Sequence, residues 1–208
     1  MANKQQASSL APSPNFNSIN LPCFSYKPGT IFYRLNGASY STALYFDRSG
    51  DGRFDGVTQP YGILYLGQEI AGAFIESFGR SPSINALGIK AVAEADLRNR
   101  DLWEIQVQEP LKLVKLYGDG LAKMGAESSV TSGTDYNLSR QWGTAIYQHP
   151  RKVDGIVYFS RHDNQQLCMG LFDQCLGKLN ESNCGNLVDF QGGRILAKIL
   201  AKYDYVLL

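Results

Sequence analysis

The sequence predicts an α+β chain with a mixed or mostly antiparallel sheet at its core and a few short helices. Three observations carry this expectation. Short runs rich in aromatic and β-branched residues recur between clusters of Gly, Pro, Asp and Asn, the pattern of strands and their turns. Helical apolar spacing is confined to a few stretches of modest length. The strand and helix patterns do not alternate strictly, which argues against a doubly wound parallel sheet.

Residues 1–22 are rich in Gln, Ser, Asn, Ala and Pro and hold few large apolar side chains. Such a segment buries too little surface to offset its ordering entropy, so a flexible leader is expected there. Residues 23–208 are expected to form one domain, because 208 residues at 44% hydrophobic supply one sizeable core. After Pro28-Gly29, TIFYRL (30–35) has strand composition, and YSTALYF leads into the turn-rich DRSGDGRFDG (47–56). GILYLG (62–67) reads as a strand. QEIAGAFIESFG (68–79) reads as a helix, with Ile70, Phe74 and Phe78 on one face and Gly79 as its stop.

LWEIQV (102–107) and LKLVKLYG (111–118) are strands divided by Pro110. GDGLAKMG (118–125) resembles a dinucleotide loop, but the third glycine position holds Lys123, so a turn and a short helix are expected. LSRQWGTAIYQHP (138–150) is helical up to Pro150. GIVYF and QLCMGLF are strands on either side of SRHDN (160–164). RILAKILAKY (194–203) is an amphipathic helix, followed by the terminal strand DYVLL.

Composition excludes several functions. Lys+Arg (20) and Asp+Glu (19) nearly cancel, so bulk electrostatic binding of nucleic acid or an anionic membrane is not expected. No apolar stretch reaches the roughly 18 residues of a membrane span, and the first residues lack a signal-peptide pattern. Cys23, Cys168, Cys175 and Cys184 form no CxxC pair or zinc template, which fits free thiols in a cytoplasmic protein.

Two motifs suggest other chemistry. In DRSGDGRFD, residues Asp47, Ser49, Asp51, Gly52 and Asp55 fall at calcium-loop positions, but Thr58 stands where the bidentate Glu belongs. A calcium-dependent binding module through Asp47, Asp51 and Asp55 is therefore the weaker alternative. Serine hydrolase chemistry lacks a GxSxG, and Ser160 and His162 lie too close in sequence for a proton relay.

A stronger signal is a set of polar residues at the edges of apolar elements: Arg34, Arg53, Tyr65, Glu76, Ser160 and Arg161. Buried charge is costly unless it is paired or used. Together these residues offer cations, one carboxylate, a hydroxyl and an aromatic face, which suits a ligand carrying phosphate and a nucleobase.

The segments FYRLNG (32–37), GRFD (52–55), YGILYLGQEIAGAFIES (61–77) and DGIVYFSRHDN (154–164) resemble, in this order, the RES domain. DYNLSRQWGTAIYQHP resembles the family's approach to its serine motif. The resemblance covers roughly residues 28–208 and implies a fold related to ADP-ribosyltransferases. It also implies a toxin that destroys NAD⁺ as its substrate and is neutralised by an antitoxin of the Xre type. Carried across, the catalytic set is Arg34, Glu76 and Ser160, while Arg53, Tyr65 and Arg161 would bind NAD⁺; no metal is implied. The stretch from Glu76 to Ser160 is long for the family, which places an insertion near 118–134.

These residues suit cleavage of the nicotinamide–ribose bond. Nicotinamide leaves as a neutral molecule, so acid catalysis matters little, and the oxocarbenium-like ribose is what needs stabilising. Glu76 is expected to supply that charge. Arg34 and Arg53 would hold the pyrophosphate, Tyr65 would stack on nicotinamide or hydrogen-bond near it, and Ser160 would position the ribose or Arg34. Water, inorganic phosphate and a macromolecule are all compatible acceptors, the last making the enzyme an ADP-ribosyltransferase.

Overall fold

In the computed structural model, which describes residues 10–80, 82–85 and 87–208, the chain runs through β1 (Cys23–Tyr26), β2 (Ile31–Gly37), β3 (Ile63–Gly67) and α1 (Ile70–Phe78). Next come β4 (Ser83–Ile84), β5 (Lys90–Val92), α2 (Glu94–Arg98), β6 (Arg100–Val107) and β7 (Leu111–Lys115). The remainder comprises α3 (Asp119–Met124), α4 (Ser129–Ser132), α5 (Tyr136–Gln148), β8 (Gly155–Phe159), β9 (Leu167–Phe172), β10 (Leu179–Asn186), α6 (Arg194–Tyr203) and β11 (Val206–Leu207).

Eight strands form one mixed sheet in the order β1-β7-β8-β9-β3-β2-β6-β10. Its neighbours are antiparallel except β7 and β8, which run parallel because the chain between them crosses over through α3, α4 and α5. A small second sheet, β11-β5-β4, lies beside α1 and α2. The expected α+β class with a mixed sheet is what forms. Among the described residues, no helix is long and apolar enough to cross a membrane.

The large sheet curls on itself. The Tyr26 ring of β1 meets the Phe32 ring of β2 edge-on, with centroids 5.0 Å apart, although four strands separate them in the sheet order. Leu64, Leu66, Ile105, Leu113, Val157 and Met169 fill the inside of this curl. The opposite face buries Ile63, Ile156 and Phe172 under Trp142 and Ile146 of α5. Leu35 and Leu102 pack with Phe74 of α1 and with Leu196 and Ile199 of α6.

One seam in the sheet is open. β2 pairs with β6 along its whole length, Ile31 to Gly37, and β3 pairs with β9 from Ile63 to Gly67. Between β2 and β3 only Tyr33 and Gly67 are in register. The two halves of the sheet part at this seam, and α1 lies beside it.

Several elements differ from expectation. Of the expected 1–22 leader, residues 1–9 lie outside the described residues, while in 10–22 Phe16 and Leu21 are 3% exposed and lie in the core that α5 covers. Trp142 Nε1 donates to the Leu10 carbonyl at 2.8 Å. A Phe, a Leu and one main-chain acceptor anchor this stretch despite its polar composition. The segment 118–134, read as an insertion, packs into the same core through Met124, Ala126 and Val130. Strands β1, β4, β5 and β10 and helix α2 had no sequence signal, being short or, in β10 (LNESNCGN), largely polar. β10 is an edge strand, and an edge needs no apolar alternation.

Candidate functional site

A cavity of about 240 Å³ opens at the seam between β2 and β3. β2 contributes Tyr33 and Arg34, β3 contributes Tyr65, and α1 contributes Glu76. Gly67 makes this arrangement possible. A Cβ there would stand 2.4 Å from the Ala73 amide nitrogen, so only glycine lets α1 cross directly over the end of β3. The crossing carries Glu76 to the end of β8.

Ser160, immediately after β8, is 2% exposed, and its hydroxyl donates to Glu76 Oε1 at 2.5 Å. The same hydroxyl accepts the His162 amide at 3.1 Å. The polar run SRHDN is therefore the turn of the β8–β9 hairpin, closed by the Ser160 amide donating to the Gln166 carbonyl at 2.8 Å. Asp163 fastens the turn from outside. Its carboxylate accepts the Gln165 amide at 2.9 Å, the Tyr203 hydroxyl at 2.8 Å and Lys202 Nζ at 2.8 Å, the last two at the end of α6. Burial raises the Asp163 pKa, but these donors outweigh it and leave the carboxyl below the usual range.

The cavity wall is cationic. Arg34, Arg53, Arg80 and Arg161 line it against one carboxylate, Glu76. Among the described residues, none of these arginines forms an ion pair with a carboxylate. Arg34 Nη1 donates to the carbonyls of Ala43 at 2.7 Å and Tyr45 at 3.1 Å. Arg53 is 7% exposed, donates from Nη1 to the Gly133 carbonyl at 2.7 Å and stacks 4.6 Å above the Tyr136 ring. Its buried Nη2 has no hydrogen-bond partner among the described residues. Burial lowers the pKa of Arg34 and Arg53, yet a guanidinium keeps its proton at neutral pH.

The Tyr65 hydroxyl is committed within the protein, while its ring faces the cavity. The hydroxyl donates to Asp55 Oδ1 at 2.9 Å and accepts the Phe54 amide at 2.8 Å. Burial pushes the phenol pKa well above its ordinary value. Asp55 Oδ2 accepts the Gly52 amide at 2.8 Å, and a Cβ on Gly52 would stand 2.2 Å from the other carboxylate oxygen. Tyr65 and Asp55 thus shape the loop that presents Arg53.

This inward turn of Asp55 gives no support to the calcium-loop reading. Asp47 is likewise committed locally, accepting the Ser49 amide and hydroxyl at 3.0 and 2.6 Å. Among the described residues, no group of three or more His, Cys, Asp or Glu side chains gathers as metal ligands.

The structure therefore brings Arg34, Arg53, Tyr65, Glu76 and Arg161 to one cavity, with Ser160 bonded to Glu76. Sequence reasoning missed Arg80, Tyr136 and Tyr158 in its lining. Arg80 lies just beyond the C-cap of α1, outside any helical spacing that the sequence could have offered. Tyr136 is the first residue of α5 and sits among Arg53, Arg80 and Arg140, whose guanidinium carbons lie 4.6, 5.6 and 5.9 Å from its ring centroid. His162 lines the cavity with its pKa lowered by burial; Glu76 opposes this shift and the neighbouring arginines reinforce it.

Comparison with known proteins places these features in context. The RES domain family matches residues 31–186. A probable toxin, y4kH, of Sinorhizobium fredii (strain NBRC 101917 / NGR234) is 31% identical over 112 residues, 54% of this chain and 87% of that protein. In the crystal structure of the M. tuberculosis MbcT–MbcA toxin–antitoxin complex, one chain has a similar fold, with a TM-score of 0.61 at 16% identity. The match covers 85% of this chain and 92% of that one.

Proposed function

The chain belongs to the RES domain family, and from that premise we propose that it is the toxin of a toxin–antitoxin pair that consumes NAD⁺ by cleaving its nicotinamide–ribose bond. The observation that carries this reading is one carboxylate, Glu76, held by Ser160 in a cavity walled by four arginines and tyrosine rings. A dianionic pyrophosphate between two ribosyl groups matches that ratio of charge.

In this mechanism, the Glu76 carboxylate faces the ribose as positive charge develops at its anomeric carbon. It stabilises that charge without reorganising, because the Ser160 hydroxyl already fixes one of its oxygens. Arg53 stands at the cavity wall, where its guanidinium charge would attract a phosphate oxygen. The electron pair of the breaking C–N bond leaves with nicotinamide, and the acceptor oxygen adds to the ribosyl carbon and releases its proton to solvent. Ser160 is a positioning residue here, and His162 is not needed as an acid because the leaving group departs neutral. NAD⁺ is the substrate, and the mechanism requires no further cofactor. The neutralising partner would be an antitoxin of the Xre type, as the family resemblance implies.

The test is direct. Purified chain, freed of any antitoxin, is incubated with NAD⁺ and released nicotinamide is quantified by NMR. Release supports the reading, and intact NAD⁺ overturns it. Radiolabelled NAD⁺ identifies the acceptor, and label on protein or nucleic acid would make the enzyme an ADP-ribosyltransferase.

A further inference from the structure

Glu181 lies on β10, two strands from the cavity strand β2, and neither the motifs nor the cavity lining includes it. Its carboxylate is nevertheless densely bonded. Oε1 accepts the Thr42 hydroxyl at 2.7 Å, and Oε2 accepts the main-chain amides of Ala43 at 2.6 Å and Leu44 at 2.9 Å. Two successive amides directed at one carboxylate form a small anion-binding nest, here filled by the protein's own side chain.

The opposite side of this loop holds Arg34. The carbonyls of Ala43 and Tyr45 accept its Nη1. Strand register explains the meeting. Phe32, Ile105 and Glu181 form one row across β2, β6 and β10, and Arg34, Trp103 and Asn183 form another row two residues along. Side chains two residues apart on a strand share a face, so Arg34 and Glu181 rise from the same side of the sheet. Ala43, 0% exposed, is buried with Phe32, Trp103 and Ile105 of this face.

We propose that Glu181 is a positioning residue: it gathers Thr42–Leu44 so that the carbonyls of Ala43 and Tyr45 hold the Arg34 guanidinium at the cavity wall. Arg34 itself has no carboxylate partner among the described residues, so its direction depends on two carbonyls of an irregular loop. Main-chain carbonyls orient a cation without neutralising it, which leaves the positive charge available to an anionic ligand. Asn36 Nδ2, donating to the Thr42 carbonyl at 2.9 Å, braces the loop from β2.

The effect on catalysis rests on the reading of the cavity as an NAD⁺ site, but the effect on Arg34 does not. The first measurement therefore uses no substrate. Arginine side-chain NMR on ¹⁵N-labelled protein follows the Arg34 guanidinium in wild type and in Glu181→Ala. Slow C–N rotation in wild type and fast rotation in the variant support the relay, and unchanged rotation overturns it. The second measurement is a double-mutant cycle on kcat/KM for NAD⁺. Glu181→Ala should lower it about 10- to 100-fold in wild type and less than about twofold in Arg34→Ala. Equal losses in both backgrounds overturn the relay.

Glu181→Gln keeps an oxygen for the two amides and should restore slow rotation. A Gln variant as mobile as the Ala variant counts against the relay. Should Glu181→Ala fail to fold, Thr42→Val removes one of the contacts at an exposed position, and the same NMR signal decides. Wild-type protein that leaves NAD⁺ intact overturns the functional reading alone, because the rotation measurement still tests the relay.

Discussion

The Ser160 hydroxyl donates to Glu76 Oε1 across 2.5 Å, tying the end of β8 to the last turn of α1 across a sequence separation of 84. The bond gives the two residues separable roles. Glu76 carries the charge, and Ser160 fixes where that charge points. Glu76→Gln keeps the shape and removes the charge, so NAD⁺ cleavage should fall on the order of 10²- to 10³-fold, mostly in kcat. Ser160→Ala keeps the charge and frees the rotamer, so a smaller loss, about tenfold, is expected. Nicotinamide release by the folded variants measures both. An equal loss in the two would make Ser160 more than a positioning residue.

Tyr65 is predicted to act on stability first and on substrate binding second. Tyr65→Phe leaves the Phe54 amide and one oxygen of the buried Asp55 without their partner. An unsatisfied buried polar group of this kind destabilises by about 1–3 kcal/mol. Urea unfolding should register that loss. Arg53 adjoins Phe54, so KM for NAD⁺ should rise while kcat changes little. A variant as stable as wild type would show that the loop does not depend on this hydroxyl.

Much of the site was legible in the sequence because its residues interrupt apolar elements. Arg34 breaks TIFYRL, and Ser160 ends GIVYF at the first polar position. Glu76 was harder to judge, since a carboxylate on a short helix suits the solvent face equally well, and only the crossing at Gly67 directs it inward. The partner of the Tyr65 hydroxyl was not legible, because a hydroxyl in a strand shows no sign of its partner and Asp55 lies ten positions away in an irregular loop. Tyr136 and Arg80 come together only in three dimensions, from the start of α5 and the chain after α1. The contacts of Glu181 were invisible for the same reason, being with a loop about 138 residues earlier.

His162 predicts the sign of a pH effect. Burial lowers its pKa from 6.5, with Arg161, Arg53 and Arg80 adding to the shift and Glu76 opposing it. The unfolded chain therefore takes up this proton before the folded chain does as pH falls. The stabilising contribution is complete above pH 6.5 and is lost as pH falls through the lowered value. His162→Gln should flatten the decline of Tm below that pH, as followed by thermal melts across a buffer series. Its main-chain bond to Ser160 survives the substitution, so the Glu76–Ser160 geometry should persist. An unchanged pH dependence in the variant would rule out His162 as a source of the acid sensitivity.

The N-terminal strap gives the last prediction. Phe16 is 3% exposed, and its ring stands edge-on to Trp142 at 5.4 Å and to His149 at 5.6 Å. A flexible leader would tolerate Phe16→Ala without consequence. A core residue would not: removing a buried Phe side chain destabilises by about 3–5 kcal/mol. Trp142 sits in the middle of α5, whose first residue, Tyr136, stacks with Arg53 at the cavity. Loosening the strap should therefore lower stability strongly while leaving the Arg53–Tyr136 contact near its native geometry, because that contact lies at the other end of the helix. Urea denaturation of Phe16→Ala, with KM for NAD⁺ measured well below the melting range, separates the two effects. A midpoint equal to wild type would return residues 10–22 to the status of a leader.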